Sequence, residues 1–212
     1  MAKAARETQD MSAARDSILQ SIARARGTPK PVPEYALPQW TADASAHFIG
    51  KAKASVAEIH EIAMPEDAPE TILSILAMAG LQPQLHIAAH SPLSALPWHR
   101  APGLMRIAEP PGGDDSAFSA ADYGIAETGT LVFLSGPQSA SSWHFRPGRE
   151  FVLLSRTRIV PRFEDIIALL RADGRMPATI NLVTGPSRTA DIEQTIELGA
   201  HGPGAVHILI AG

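Results

Sequence analysis

Two polar clusters in this chain bring together residue types that could do chemistry. The first is Gly185-Pro-Ser-Arg-Thr-Ala-Asp191, where Ser187, Arg188 and Thr189 set two hydroxyls around a guanidinium. An apolar run at 179–184 precedes it, and the stretch 189–198 reads as a helix stopped by Gly199. Ser187 and Thr189 are acceptable N-caps, and Asp191 and Glu193 complement the positive end of such a helix. Arg188 opposes that end. Two partners would reconcile it: an anion held by the free N–H groups and the guanidinium fork, or Asp191 three residues on. The second cluster is Glu127-Thr128-Gly129-Thr130, between segments 123–126 and 130–134 that can pair as strands, with Gly129 freeing the backbone for the turn. Glu127 there is either a catalytic or ligand-orienting carboxylate, with Thr128 and Thr130 as hydroxyl donors, or a solvated turn residue.

Histidines offer weaker signals. His86 and His90 are four apart but fall at a strand end, with no Asp, Glu or Cys at ligand spacing nearby, so no metal site is assigned. Trp98-His99 and Trp143-His144-Phe145 read first as aromatic packing. His201 lies beyond the expected helix, which at 1.5 Å per residue is roughly 15 Å long. It therefore falls at the opposite sheet edge from Arg188, as a structural turn or a contributor to an oligomer interface.

Alternating helical and strand patterns surround these clusters. Residues 12–26 form an amphipathic helix with Ile18, Leu19 and Ile22 on one stripe, and the prolines of 28–33 impose an extended arm. A helix is expected at 41–54, a strand at 56–64, and a helix after Pro65 that buries Ile72, Ile75, Leu76 and Ala79. Short strands follow at 85–89, 104–108, 151–154 and 158–160, then a helix at 162–171. The runs 179–184 and 206–210 read as parallel strands joined by a helical crossover. The polar loop around Ser139 to Ser142, with Arg146 and Arg149, is a candidate lid. The expected fold is α/β: a single domain at 41–212 with a mostly parallel sheet flanked by helices, behind an N-terminal helical arm at 1–40.

Composition narrows the function classes. A net charge of −4 and no long basic run argue against nucleic acid or an anionic membrane as partner. With no cysteine, the chain holds neither a disulfide nor a thiolate-ligated cluster of its own. The longest apolar segment, 72–81, is too short to span a bilayer, and the first 30 residues lack a secretory core, so a cytoplasmic protein is expected. Neither a dinucleotide glycine fingerprint nor a phosphate-binding Walker loop occurs.

The chain resembles a known family at both clusters. Gly185-Pro-Ser-Arg-Thr-Ala-Asp-Ile-Glu with Leu198-Gly-Ala-His-Gly-Pro, and Gly124-Ile-Ala-Glu-Thr-Gly-Thr-Leu-Val132, are similar to the signatures of the lactate-utilisation protein C family, the LUD-domain proteins. The resemblance implies a fold like that of the sugar-phosphate isomerase, CoA-transferase and formyltetrahydrofolate cyclo-ligase group. It also implies a role in oxidising L-lactate to pyruvate beside iron–sulfur partner subunits. It marks Glu127, Thr128, Gly129, Thr130, Ser187, Arg188 and Thr189 as site residues, with Glu127 the catalytic candidate. The leading expectation is a non-redox subunit that binds a small anion and carries no cofactor alone, with iron–sulfur clusters on its partners and a homo-oligomer possible. An independent isomerase, transferase or cyclo-ligase-like enzyme and a pure interaction module are the alternatives.

Overall fold

The computed structural model describes residues 2–25, 36–88, 92–136, 142–174, 176–190, 196–198 and 202–212. In chain order the elements are α1 (Ala2–Ala25), α2 (Ala44–Ala54), β1 (Glu58–Ile62), α3 (Ala68–Met78), β2 (Gln84–His86) and β3 (Met105–Ile107). Next come β4 (Ser116–Ala120), β5 (Tyr123–Ile125), β6 (Thr130–Leu134), α4 (Ser142–Phe145), β7 (Arg149–Ser155) and β8 (Ile159–Val160). The chain finishes with α5 (Phe163–Ala172), β9 (Ile180–Val183), β10 (Arg188–Ala190), β11 (Ile196–Leu198) and β12 (Ala205–Ala211).

Contacts divide the chain into Met1–Gln39 and Trp40–Gly212. In the first unit, α1 carries the expected stripe, and Ile18, Leu19 and Ile22 are all exposed. The arm at 28–33 lies outside the described residues.

In the second unit six strands form a wholly parallel sheet in the order β1-β12-β7-β4-β2-β3. Its central strands β7 and β12 carry the apolar runs Phe151–Leu154 and Ile208–Ala211, as a sheet covered on both faces requires. One face packs against α3 through Ile72, Ile75 and Leu76, which meet Leu85, Phe118, Phe151 and Leu209. Ala79, expected in that stripe, caps the helix and is exposed. The other face receives Phe48 and Ala52 of α2 and, beyond them, Leu131 and Phe133 of a second sheet. That second sheet runs β8-β5-β6-β9, with β5, β6 and β9 antiparallel in turn, and α5 covers its far face through Ile166 and Leu170. The α/β class and the mostly parallel sheet flanked by helices match the expectation from the pattern of elements.

The last unit does not. β9 and β12, expected as parallel neighbours, belong to different sheets: β9 pairs antiparallel with β6, while β12 sits between β1 and β7. The helix expected over 189–198 is replaced by a ribbon, Arg188–Ala190 paired antiparallel with Ile196–Leu198. The local sequence permits this, since Thr189, Thr195 and Ile196 are β-branched and Ile196-Glu197-Leu198 alternates with strand period. The helix reading rested on end signals, Ser187 or Thr189 as N-cap, Asp191 and Glu193 in the first turn and Gly199 as the stop, and such signals mark where a helix could begin and end without supplying the apolar face that holds one in place.

Candidate functional site

Both signature motifs close on the end of α2. That helix stops in a paired turn in which the Ala57 N–H donates to the Ala52 carbonyl at 3.0 Å and the Val56 N–H donates to the Lys53 carbonyl at 2.9 Å. The left-handed position of the turn, ordinarily glycine, is Val56 with φ 66°. Holding a side chain there costs about 1–2 kcal/mol. Gly129 and Gly185, each with φ 70°, lie so close to this turn that an added Cβ would overlap the Ala52 backbone nitrogen in one case and the Ser55 carbonyl in the other. Glycine is needed at both for close approach as well as for φ.

Between the two motifs runs a chain of hydroxyls. Thr130 Oγ1 lies 2.7 Å from Thr128 Oγ1 and 2.7 Å from Thr184 Oγ1. The structure thus brings Thr128, Gly129 and Thr130 beside Thr184 and Gly185. Glu127 and Thr128 are exposed on the turn, and the Glu127 N–H donates to the Pro161 carbonyl at 3.0 Å. The Ser187 N–H donates to the Pro203 carbonyl at 2.8 Å, and Arg188 is exposed at the start of the ribbon. With no helix starting there, the dipole argument for an anion on Ser187, Arg188 and Thr189 loses its basis. Asp191, Glu193, His90, His201 and the loop at 139–141 lie outside the described residues.

A different set of groups lines a crevice of about 920 Å³ at the carboxyl ends of β4 and β7, where open parallel sheets bind ligands. Ser119, Asp122, Tyr123, Ser135, His144, Ser155, Arg158 and Asp173 are among its polar lining residues, and Phe118, Leu134, Leu153 and Leu170 are among its apolar ones. None of Glu127, Thr128, Gly129, Thr130, Ser187, Arg188 and Thr189 is among its lining residues.

Behind His144 sits Glu150, completely buried on the face of β7 that looks toward the second sheet. Its Oε1 accepts from Ser119 Oγ at 2.7 Å and lies 2.8 Å from His144 Nδ1, while Oε2 has no hydrogen-bond partner among the described residues. Burial pushes the Glu150 carboxyl up from its ordinary range, and the bonds from His144 and Ser119 pull it partly back. The ring of His144 stacks on Phe133 at 3.9 Å, so packing and hydrogen bonding together fix its plane. A buried carboxyl and an imidazole sharing a proton across 2.8 Å is an arrangement suited to acid–base work.

Asp122 is also pushed up by burial, against the pull of the Leu134 N–H that donates to its Oδ2 at 2.7 Å and of the Arg158 and His144 charges. Arg158 lies over the Tyr123 ring at 5.3 Å and donates to its hydroxyl at 3.3 Å. No carboxylate among the described residues lies within ion-pair distance of Arg158. The crevice therefore holds a cation on an aromatic shelf beside the Asp122 carboxyl, which burial biases toward the neutral acid, with the Asp173 carboxylate also in its lining and Glu150 behind His144.

Sequence reasoning passed over Glu150, Asp122 and Arg158, and it read His144 as aromatic packing, which is half of its role. One signal was available: Glu150 directly precedes the apolar run Phe151–Leu154 of a central strand, where a charge without a partner is too costly to keep.

Comparison with known proteins finds what the fold and the two motifs are similar to. The LUD domain model matches residues 113–211, a span that contains both motifs and the polar groups just described. The chain is similar to lactate utilization protein C of Halalkalibacterium halodurans, 36% identical over 102 residues that cover 46% of this chain and 44% of the other. It is also 27% identical over 172 residues to that of Bacillus pumilus, covering 69% and 70%. The alignment with the Halalkalibacterium protein thus spans less than half of that relative's length. A crystal structure of a DUF162 family protein from Deinococcus radiodurans superposes with a TM-score of 0.58 at 16% identity, covering 82% of this chain and all of the other, which shows a shared fold. Among the described residues, no helix is long and apolar enough to cross a membrane.

Proposed function

We propose that this chain serves lactate utilisation as a non-redox component that binds a small 2-hydroxy or 2-oxo acid anion in the crevice at the carboxyl ends of β4 and β7. The observation that carries the reading is the crevice itself, where Arg158, with no carboxylate within ion-pair distance among the described residues, shares the lining with His144, behind which Glu150 is buried. Arg158 receives the carboxylate of the ligand, a task its planar fork performs better than a lysine would. The His144–Glu150 pair takes up or returns the hydroxyl proton. Converting lactate to pyruvate breaks the O–H and C2–H bonds and releases two protons and two electrons; the proton from C2 passes to solvent, and a chain without cysteine supports a division of labour in which iron–sulfur partner subunits accept both electrons.

The test is calorimetric titration of the purified chain with L-lactate, pyruvate and phosphate, alone and with Arg158→Ala. Binding of lactate or pyruvate that falls at least tenfold in the variant is expected; equal affinity in both proteins would remove the crevice from consideration. In cells lacking other lactate oxidases, loss of this chain is expected to stop growth on L-lactate and spare growth on pyruvate. The His144–Glu150 pair also favours a second reading, an independent acid–base enzyme acting on a small anion. Turnover by the purified chain with no partner present separates the two.

A further inference from the structure

The opposite face of the parallel sheet carries a second histidine group that the crevice does not use. Glu58 and His60 alternate on β1, so their side chains share the α3 face, and β12 places His207 directly beside Glu58 in register. His60 Nε2 lies 3.2 Å from His207 Nδ1, which lies 3.4 Å from Glu58 Oε2, and the three atoms fall within 4.8 Å of one another. Ligands about 2.0–2.1 Å from a tetrahedral ion stand about 3.3–3.4 Å apart, so both measured edges fit one such ion. Phe151 stacks on the His207 ring at 4.7 Å and holds its plane, while Glu58 is exposed and His60 half-exposed, leaving a path from solvent.

We propose that Glu58, His60 and His207 form a binding site for a first-row divalent transition ion, zinc by preference, with the fourth position open to water. Two imidazoles and one carboxylate select such an ion over magnesium or calcium, which favour oxygen donors. Arg149 adds a gate. Its Nε donates to His207 Nε2 at 3.1 Å, which keeps the neutral ring's proton on Nδ1, the atom the metal needs. Capture of the ion moves that proton to Nε2 and releases Arg149 from the ring. Removing Arg149 therefore tightens binding.

The experiment uses the full chain, stripped with a chelator and titrated with Zn²⁺ against a chromophoric indicator, and with Co²⁺ to read its visible ligand-field bands. One equivalent is expected, with affinity falling at least tenfold in both His60→Ala and Glu58→Gln, rising in Arg149→Met, and unaffected by millimolar Mg²⁺. Both weakening substitutions are at accessible positions and leave the core intact, which circular dichroism verifies. Absence of a stoichiometric site, or a site that survives either His60→Ala or Glu58→Gln, overturns the proposal. Unchanged or weaker binding in Arg149→Met overturns the gate.

Discussion

The corner at the end of α2 and the crevice at the end of β4 and β7 are built on opposite plans. The corner gathers both signature motifs, yet what it concentrates is backbone: two glycines against a helix turn, a strained valine, and a chain of three threonine hydroxyls. The crevice gathers titratable groups from segments that carry no motif pattern, and it holds them by burial. A motif read from sequence therefore marks where the chain must approach itself closely as readily as where chemistry occurs. In this protein the two places are distinct.

The sharpest way to break that distinction is at the corner glycines. Gly129→Ala and Gly185→Ala each force a Cβ into backbone at a left-handed φ, and each is expected to cost more than about 3 kcal/mol in chemical denaturation. A loss below about 1 kcal/mol would mean that the corner yields easily and that its glycines serve something other than packing. Glu150→Ala probes the crevice in the same terms. It removes the carboxylate that Ser119 and His144 bond to and opens a cavity, for an expected loss of about 2–4 kcal/mol.

The pH response separates the regions further. Because burial raises the Glu150 and Asp122 carboxyls, the folded state holds their protons more tightly than the unfolded chain does. The stability they contribute is fully present below the ordinary carboxyl range and is lost as pH rises through their folded values. Thermal melts are expected to show this decline in the native chain and a flatter curve in Glu150→Gln. An identical slope in the two would show that Glu150 is not the group responsible. The smallest expected effect belongs to Val56→Gly, which relieves the left-handed valine and should stabilise the chain by up to about 1 kcal/mol while leaving crevice ligand affinity unchanged.

Much of this was legible before folding was considered. The stripe of α3, the strand runs of β7 and β12, the hairpin of β5 and β6 across Gly129, and the α/β class all follow from local periodicity and turn chemistry. The motifs at 124–132 and 185–204 were equally visible, and the LUD match contains them. The stretch 189–198 went the other way, because its short apolar pattern fits both periods and tertiary pairing chose the ribbon.

What sequence by itself determined here is the kind of element each segment forms and the places where only glycine fits, since both are properties of a few neighbouring residues. What only the tertiary structure decided is which charged side chains share a space. Glu150 and His144 are six residues apart but meet through a turn into β7, Ser119 reaches them from β4, and Glu58, His60 and His207 meet through strands 147 residues apart along the chain. Such meetings depend on strand order and register. Strand order in turn follows from how whole elements bury their apolar faces, a sum over the molecule that no local stretch of sequence contains.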